Sequence, residues 1–242
     1  MTLLAIHSLS KSFGGLMANQ EVDISIDRGE VLGLIGPNGA GKTTLFNCVA
    51  GFYRPDSGRV VFGEEDITGW PPEKICRLGI ARTFQIVRSF NNMTVLENVM
   101  AGAFLHHSRR NDAKARAQEV LEFTGLAARQ DDMAGNLTVA DKKRLELTRA
   151  LATEPKLIML DEAMAGLTPR ETQAAVELVD AIHQKGITIF LVEHVMEVVM
   201  PISDRIVVLE YGKKIAEGKP ADIAQDSRVI SAYLGESYSA SS

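Results

Sequence analysis

Short, almost wholly apolar runs rich in β-branched residues alternate along this chain with longer stretches of helical period. Val31–Ile35 and residues 157–160, 187–192 and 206–209 carry few polar positions, as strands covered on both faces do. Residues 3–9 and 22–26 instead alternate apolar with polar side chains. With residues 60–62 they predict a smaller antiparallel sheet, with turns at Gly14-Gly15, Asp27-Arg28-Gly29 and Asp56-Ser57-Gly58. Between about Ser89 and Leu151 the strand signal disappears, and residues 95–104, 113–123 and Val139–Leu151 read as helices. The pattern predicts an α/β fold with a parallel-sheet core, a small antiparallel β lobe and a helical insert lobe. In numbers, residues 1–242 form one domain, with 1–88 and 152–234 as the α/β core with its β lobe. Residues 89–151 form the helical lobe and 235–242 a polar, frayed tail.

Composition narrows the function classes. Of 242 residues, 45% are hydrophobic and 24% charged, with a formal net charge of -5. The apolar content is too high and the charge too small for a disordered chain. Binding of nucleic acid through bulk positive charge is disfavoured at a sequence pI near 5.6, and no nucleic-acid partner is expected. Cys48 and Cys76 lack metal-ligand spacing and read as two reduced thiols, the usage of a cytosolic protein. The first residues show no secretory signal, and no run approaches 18 uninterrupted apolar residues, so the expectation is a cytoplasmic chain that does not cross a bilayer.

The strongest chemical signal follows the first apolar run. Val31–Ile35 leads into Gly36-Pro37-Asn38-Gly39-Ala40-Gly41-Lys42-Thr43-Thr44 and then a helix-like stretch. This is G-x-x-x-x-G-K-[ST] in a strand–loop–helix context. Glycines let backbone N–H groups turn inward around a phosphate where a Cβ would clash, and the helix start adds its positive dipole end. Lys42 reaches β- and γ-phosphate oxygens, and the Thr43 hydroxyl can ligate Mg²⁺. The expected ligand is a nucleoside triphosphate.

Two later runs end in candidate catalytic residues. Residues 157–160 lead into Asp161-Glu162, placing Asp161 for indirect coordination of Mg²⁺ and Glu162 to activate the water that attacks the γ-phosphate. Taken alone, the same pair could be two acids opening the next helix, where negative charge suits the dipole. Residues 187–192 lead into Glu193-His194, with His194 placed as a γ-phosphate sensor.

With these residues in view, the chain resembles the ATP-binding subunit of ATP-binding-cassette (ABC) transporters, and among them the ATPase of branched-chain amino-acid importers. The resemblance runs from about Leu4 to Gly235. It is carried by Lys11-Ser12-Phe13-Gly14-Gly15, the phosphate loop, Ala81-Arg82-Thr83-Phe84-Gln85 and Met93-Thr94-Val95-Leu96-Glu97-Asn98-Val99. Arg144-Leu145-Glu146-Leu147, Leu160-Asp161-Glu162 with Ala165-Gly166-Leu167, Glu193-His194-Val195-Met196, Ile202-Ser203-Asp204-Arg205 and Ala232-Tyr233-Leu234-Gly235 extend it. The resemblance implies a P-loop NTPase fold of the ABC ATPase type, ATP and Mg²⁺ as ligands, Phe13 stacked on adenine, and Gln85 as a Mg²⁺ ligand that senses the bound state. It also implies that residues 86–99 receive a coupling helix from a transmembrane permease subunit, and that an extracytoplasmic solute-binding protein takes part indirectly. The protein would then sit on the inner face of the cell membrane.

The sequence departs from that family most clearly at one functional segment. Where Leu-Ser-Gly-Gly-Gln is usual, this chain has Leu137-Thr138-Val139-Ala140-Asp141. By resemblance, Thr138, Ala140 and Asp141 would close over ATP held by a second ATPase subunit, the same chain or a related one. The same residues fit a variant capping box, with Thr138 as N-cap and the acid at N3. Ala163 stands for the usual proline and Thr168 for the usual Asp. An exporter ATPase of the lipopolysaccharide type and an ATP-gated clamp with weak turnover remain alternatives to an importer ATPase.

Overall fold

The computed structural model describes residues 1–85, 87–193 and 196–234. Two long strands, β1 (Thr2–Phe13) and β2 (Leu16–Asp27), open the chain, followed by β3 (Val31–Ile35) and α1 (Lys42–Val49). Next come β4 (Ser57–Phe62), the short β5 (Glu65–Asp66) and α2 (Pro72–Leu78). The middle of the chain holds β6 (Ile80–Arg82), α3 (Val95–Ala103), α4 (Arg110–Phe123), α5 (Val139–Leu151), β7 (Leu157–Asp161) and α6 (Pro169–Gln184). The last part contains β8 (Thr188–Val192), α7 (Met196–Ile202), β9 (Arg205–Glu210), β10 (Lys213–Gly218), α8 (Pro220–Ile223) and α9 (Ser227–Leu234). These elements fall into two compact units, residues 1–75 with 188–242 and residues 76–187. The division differs from the lobe boundaries read from sequence, because the helical segment clusters with β6, β7 and α6.

In the first unit, β2-β1-β4-β5 form an antiparallel sheet. Strand β3 lies between β8 and β9, parallel to both, and β10 pairs antiparallel with β9. All five residues of β3 and of β8 are buried, which is why both read as unbroken apolar runs. Phe46 of α1 packs on Phe190 of β8 with ring centroids 4.6 Å apart. The Asp204-Arg205 pair sets the start of β9 against β3: the Asp204 carboxylate accepts from the Val31 N–H at 2.8 Å, and Arg205 pairs with Glu30 at 2.8 Å.

In the second unit, β6 and β7 pair in parallel with Arg82 opposite Met159. Helix α3 begins with a capping box in which Thr94 Oγ accepts from the Glu97 N–H and the Glu97 carboxylate accepts from the Thr94 N–H. Asn98, fully buried, accepts from the Phe90 N–H at 2.8 Å and donates to the Phe90 and Thr94 carbonyls. The Met93–Val99 family cue is thus also a local folding signal. Helix α6 is capped in the same way by Thr168 and Glu171, with Pro169 in its first turn, so Thr168 takes the N-cap role that an Asp can also fill.

One expectation and one alternative reading change. Ser57 and Gly58 lie inside β4 rather than in a turn, and a register shift between His7 and Ser10 absorbs the irregularity. Asp161-Glu162 do not open the next helix: Asp161 ends β7, turns follow, and α6 starts only after Thr168. The tail 235–242 lies outside the described residues. Among those described, no helix is long and apolar enough to cross a membrane.

Candidate nucleotide site

Residues 36–44 link buried β3 to α1, and two glycines explain why the loop takes its path. A Cβ on Gly36 would lie 2.1 Å from the Leu209 carbonyl oxygen, and one on Gly41, where φ is +96°, would lie 2.1 Å from the Ala18 carbonyl oxygen. Only glycine tolerates such close backbone contact at that φ. Neighbouring strands brace the loop: Asn19 Nδ2 donates to the Gly41 carbonyl at 3.1 Å, and the Gly212 N–H donates to the Ala40 carbonyl at 3.1 Å. Lys42 Nζ donates to the Gly36 and Pro37 carbonyls at 2.6 and 2.9 Å, so its ammonium is held against the loop backbone. Asn38, Gly39 and Thr43 are exposed, and no side chain caps the start of α1. A loop lined by backbone N–H groups, a lysine and a helix N-terminus fits a polyphosphate.

Phe13 is on the same unit, at the tip of the β1–β2 hairpin, with 43% of its surface exposed. Sequence reasoning did not find two further neighbours of the loop. One is Asn19, fully buried behind Gly41. The other is Tyr233 of α9, whose hydroxyl oxygen accepts from the Gly36 N–H at 2.7 Å; burial pushes this phenol's pKa up, against a smaller opposing effect of that hydrogen bond.

The second unit brings together Gln85, Asp161 and Glu162. Gln85 Nε2 donates to Glu162 Oε2 at 2.7 Å. Glu162 has φ +47°, a left-handed conformation that costs an ordinary residue roughly 1–2 kcal/mol and is typical of functional positions. Lys143 Nζ, on α5, donates to the Glu162 carbonyl at 3.1 Å. Arg82 Nη2 donates to Asp161 Oδ2 at 2.7 Å, and these side chains are only 8% and 3% exposed. Beside Gln85, the Phe84 N–H donates at 3.3 Å to Glu146 of α5, a carboxyl raised in pKa by burial against the smaller pull of Arg149. The segment after β6 that bears Gln85 is therefore tied to α5. None of Arg82, Lys143 and Glu146 was given a role from sequence, because their partners lie 19 to 79 positions away.

At the variant segment, Thr138 is the N-cap of α5 and its hydroxyl accepts from the Asp141 N–H at 3.1 Å. The Asp141 carboxylate accepts from the Thr138 hydroxyl at 2.8 Å and from Arg129 at 2.7 Å. The cap expected from sequence is present, with the carboxylate held by a hydroxyl and a guanidinium rather than by the N-cap N–H. Ala140 lies in the first turn of α5, and Thr138 is exposed. His194 and Ile86 lie outside the described residues.

The fold and its glycine loop define a P-loop NTPase. The family model "ABC transporter" matches residues 19–165, and the model "Branched-chain amino acid ATP-binding cassette transporter" matches residues 213–239. The chain belongs to the ABC transporter family, as one of its ATPases. It is 42% identical over 97% of its length to the high-affinity branched-chain amino acid transport ATP-binding protein LivG of Salmonella typhimurium, covering 98% of that protein. It is 39% identical to the probable LivG of Archaeoglobus fulgidus, over 97% and 96% of the two chains. Among solved structures, a nucleotide-free ATP-binding cassette of an ABC transporter superposes with a TM-score of 0.89 at 34% identity, over 98% of this chain and 100% of that one. The ADP conformation of the cassette MJ1267 gives 0.88 at 35% identity, over 98% and 100%.

Proposed function

We propose that this chain is the ATP-hydrolysing subunit of an importer for branched-chain amino acids, working on the inner face of the membrane through separate permease subunits. The near full-length similarity to LivG proteins and the match of residues 213–239 favour an importer over a lipopolysaccharide-type exporter. The observation that carries hydrolysis, rather than a clamp with little turnover, is the Gln85–Glu162 hydrogen bond of 2.7 Å. It holds a carboxylate in one orientation at the end of a buried parallel strand, where a base for water activation is needed.

In this reading the ATP phosphates lie in the loop of residues 36–44, with Lys42 on the β- and γ-phosphate oxygens and Phe13 under the adenine. Thr43, Gln85 and Asp161 supply hard oxygen donors suited to Mg²⁺, which when bound neutralises charge on the phosphates. Glu162 orients the attacking water and takes its proton while His194 contacts the γ-phosphate. Gln85, tied to α5 through Phe84 and Glu146, passes the state of the site to the helical lobe of residues 89–151. Phe90 and Met133, 49% and 40% exposed near the start of α3, offer apolar surface to a permease coupling helix. Thr138, Ala140 and Asp141 complete the site of a second ATPase subunit, with the N–H groups at the start of α5 facing its phosphates.

Sedimentation of Glu162→Gln protein with and without Mg-ATP tests this. An ATP-dependent dimer formed by the variant, and not by the unmutated chain, is expected. Full hydrolysis by the variant would remove Glu162 as base and with it the proposed mechanism.

A further inference from the structure

Phe13 stands next to Gly14-Gly15, both at positive φ, at the tip of a two-stranded hairpin. Such a tip has little stiffness of its own, and a base platform that must be ordered on binding loses affinity. The chain that leaves α1 supplies what the tip lacks. The Asp56 carboxylate accepts three hydrogen bonds, from Lys11 Nζ, the Ser12 N–H and the Ser12 hydroxyl, each at 2.7 Å. The Asp56 N–H in turn donates to the Ser10 carbonyl at 2.9 Å. Three residues earlier, the Tyr53 ring meets Phe13 edge to face, with centroids 5.2 Å apart at 71°. Lys11 Nζ, already held by Asp56, lies 5.4 Å from the centre of the Phe13 ring.

The hairpin is thus fixed at two places, both linked to α1. Just below the tip, Asn19 pairs with Lys11 across the sheet and donates to Gly41 at the start of α1. Phe13 lies two residues beyond that rung, about 7 Å along the strand. There the segment after the end of α1 holds it through Tyr53 and Asp56. Helix α1 is therefore a spacer of fixed length between the phosphate loop and the aromatic ring.

The geometry points to Asp56 and Tyr53 as positioning residues that set the Phe13 ring at the height of the nucleotide base. This rests on Phe13 as the base-stacking residue and names what holds it. Hydrogen bonds from Lys11 and Ser12 bring the Asp56 carboxyl down to about 2, so the charge-assisted contacts, stronger than neutral ones, persist at any ordinary assay pH. An Asp56 that only fastened β1 to the loop before β4 would support every ligand of the phosphate loop alike. An Asp56 that positions Phe13 supports only ligands with a base.

The test is calorimetric titration of the full chain with Mg-ATP and with Mg-tripolyphosphate, which has no base. Asp56→Ala is expected to raise the dissociation constant for ATP about tenfold, the scale of a lost base–aromatic stack, and to leave that for tripolyphosphate within about twofold. Phe13→Ala should behave alike, and the double variant should be no worse than Phe13→Ala alone. Tyr53→Leu, which leaves the Asp56 hydrogen bonds intact, should show a smaller loss of the same selectivity and serves if Asp56→Ala fails to fold. Equal losses for both ligands, or ATP affinity kept in Asp56→Ala and Tyr53→Leu but lost in Phe13→Ala, would overturn the positioning role alone. ATP affinity kept in Phe13→Ala would overturn the base-stacking reading beneath it.

Discussion

Replacing Arg82 by alanine isolates the energetics of the strand that ends in Asp161, just before the proposed base Glu162. Arg82 donates to Asp161 at 2.7 Å, and the Asp161 side chain is only 3% exposed. Removing the guanidinium leaves a carboxylate in surroundings that solvate it poorly, and breaking such a buried pair costs about 3–5 kcal/mol. Proton uptake sets a ceiling. Neutralising a carboxylate at pH 7 costs about 1.4 kcal/mol for each pH unit above its ordinary range, or about 4 kcal/mol in all. The expected loss at pH 7 is therefore about 3–4 kcal/mol, which for a chain of this size lowers the thermal midpoint by about 6–15 °C. In the variant the folded state holds the proton more tightly than the unfolded state does. Stability relative to the unmutated chain is therefore kept at low pH and lost as pH rises. At pH 5 the same ceiling falls to about 1.5 kcal/mol. Thermal and urea denaturation of both proteins at the two pH values measure this directly. A loss below about 1 kcal/mol at pH 7, or equal losses at both pH values, would refute the argument that Asp161 depends on Arg82 for its charge.

Three further outcomes follow from the geometry. Gly41→Ala brings a Cβ to within 2.1 Å of the Ala18 carbonyl oxygen, so ATP affinity measured by titration should fall at least about a hundredfold, since a misplaced loop forfeits contacts worth roughly 3 kcal/mol or more. Asp141→Gln removes the negative charge at the start of α5 and releases Arg129 from its 2.7 Å contact. ATPase turnover should rise about two- to fivefold, the scale of one charge at a helix N-terminus, and an unchanged rate would mean Arg129 already offsets Asp141. Burial pushes the Cys48 thiol up to about 11 and raises that of Cys76. At pH 8 an aromatic disulfide reagent should therefore label both only slowly in the folded protein and fully in denaturant.

The parts of the chain whose pattern follows from local physics were legible from the sequence. Strands β3 and β8 are buried at all five positions, so each leaves an unbroken apolar run in the sequence. The phosphate loop was legible because its backbone path requires glycine at fixed spacing before a helix. The cap of α5 was legible as Thr138 with Asp141, because N-cap and N3 lie three residues apart, whereas Thr94 and Glu97 of α3 were read only as part of a family cue. Strand β6 was missed: three residues are too few to show a period. Strand β10, Lys213–Gly218, pairs among the described residues with β9 alone, and its exposed charged positions hide the alternation. The side chains that steady the site escaped for another reason. Arg82 meets Asp161 across 79 positions, Lys11 meets Asp56 across 45, and Tyr233 meets Gly36 across 197. The sequence alone determined the chemistry of the nucleotide site, because a phosphate loop and a carboxylate at a strand end are written in adjacent residues. Only the tertiary structure decided which charges and rings hold that chemistry in place, because those contacts depend on how distant segments pack.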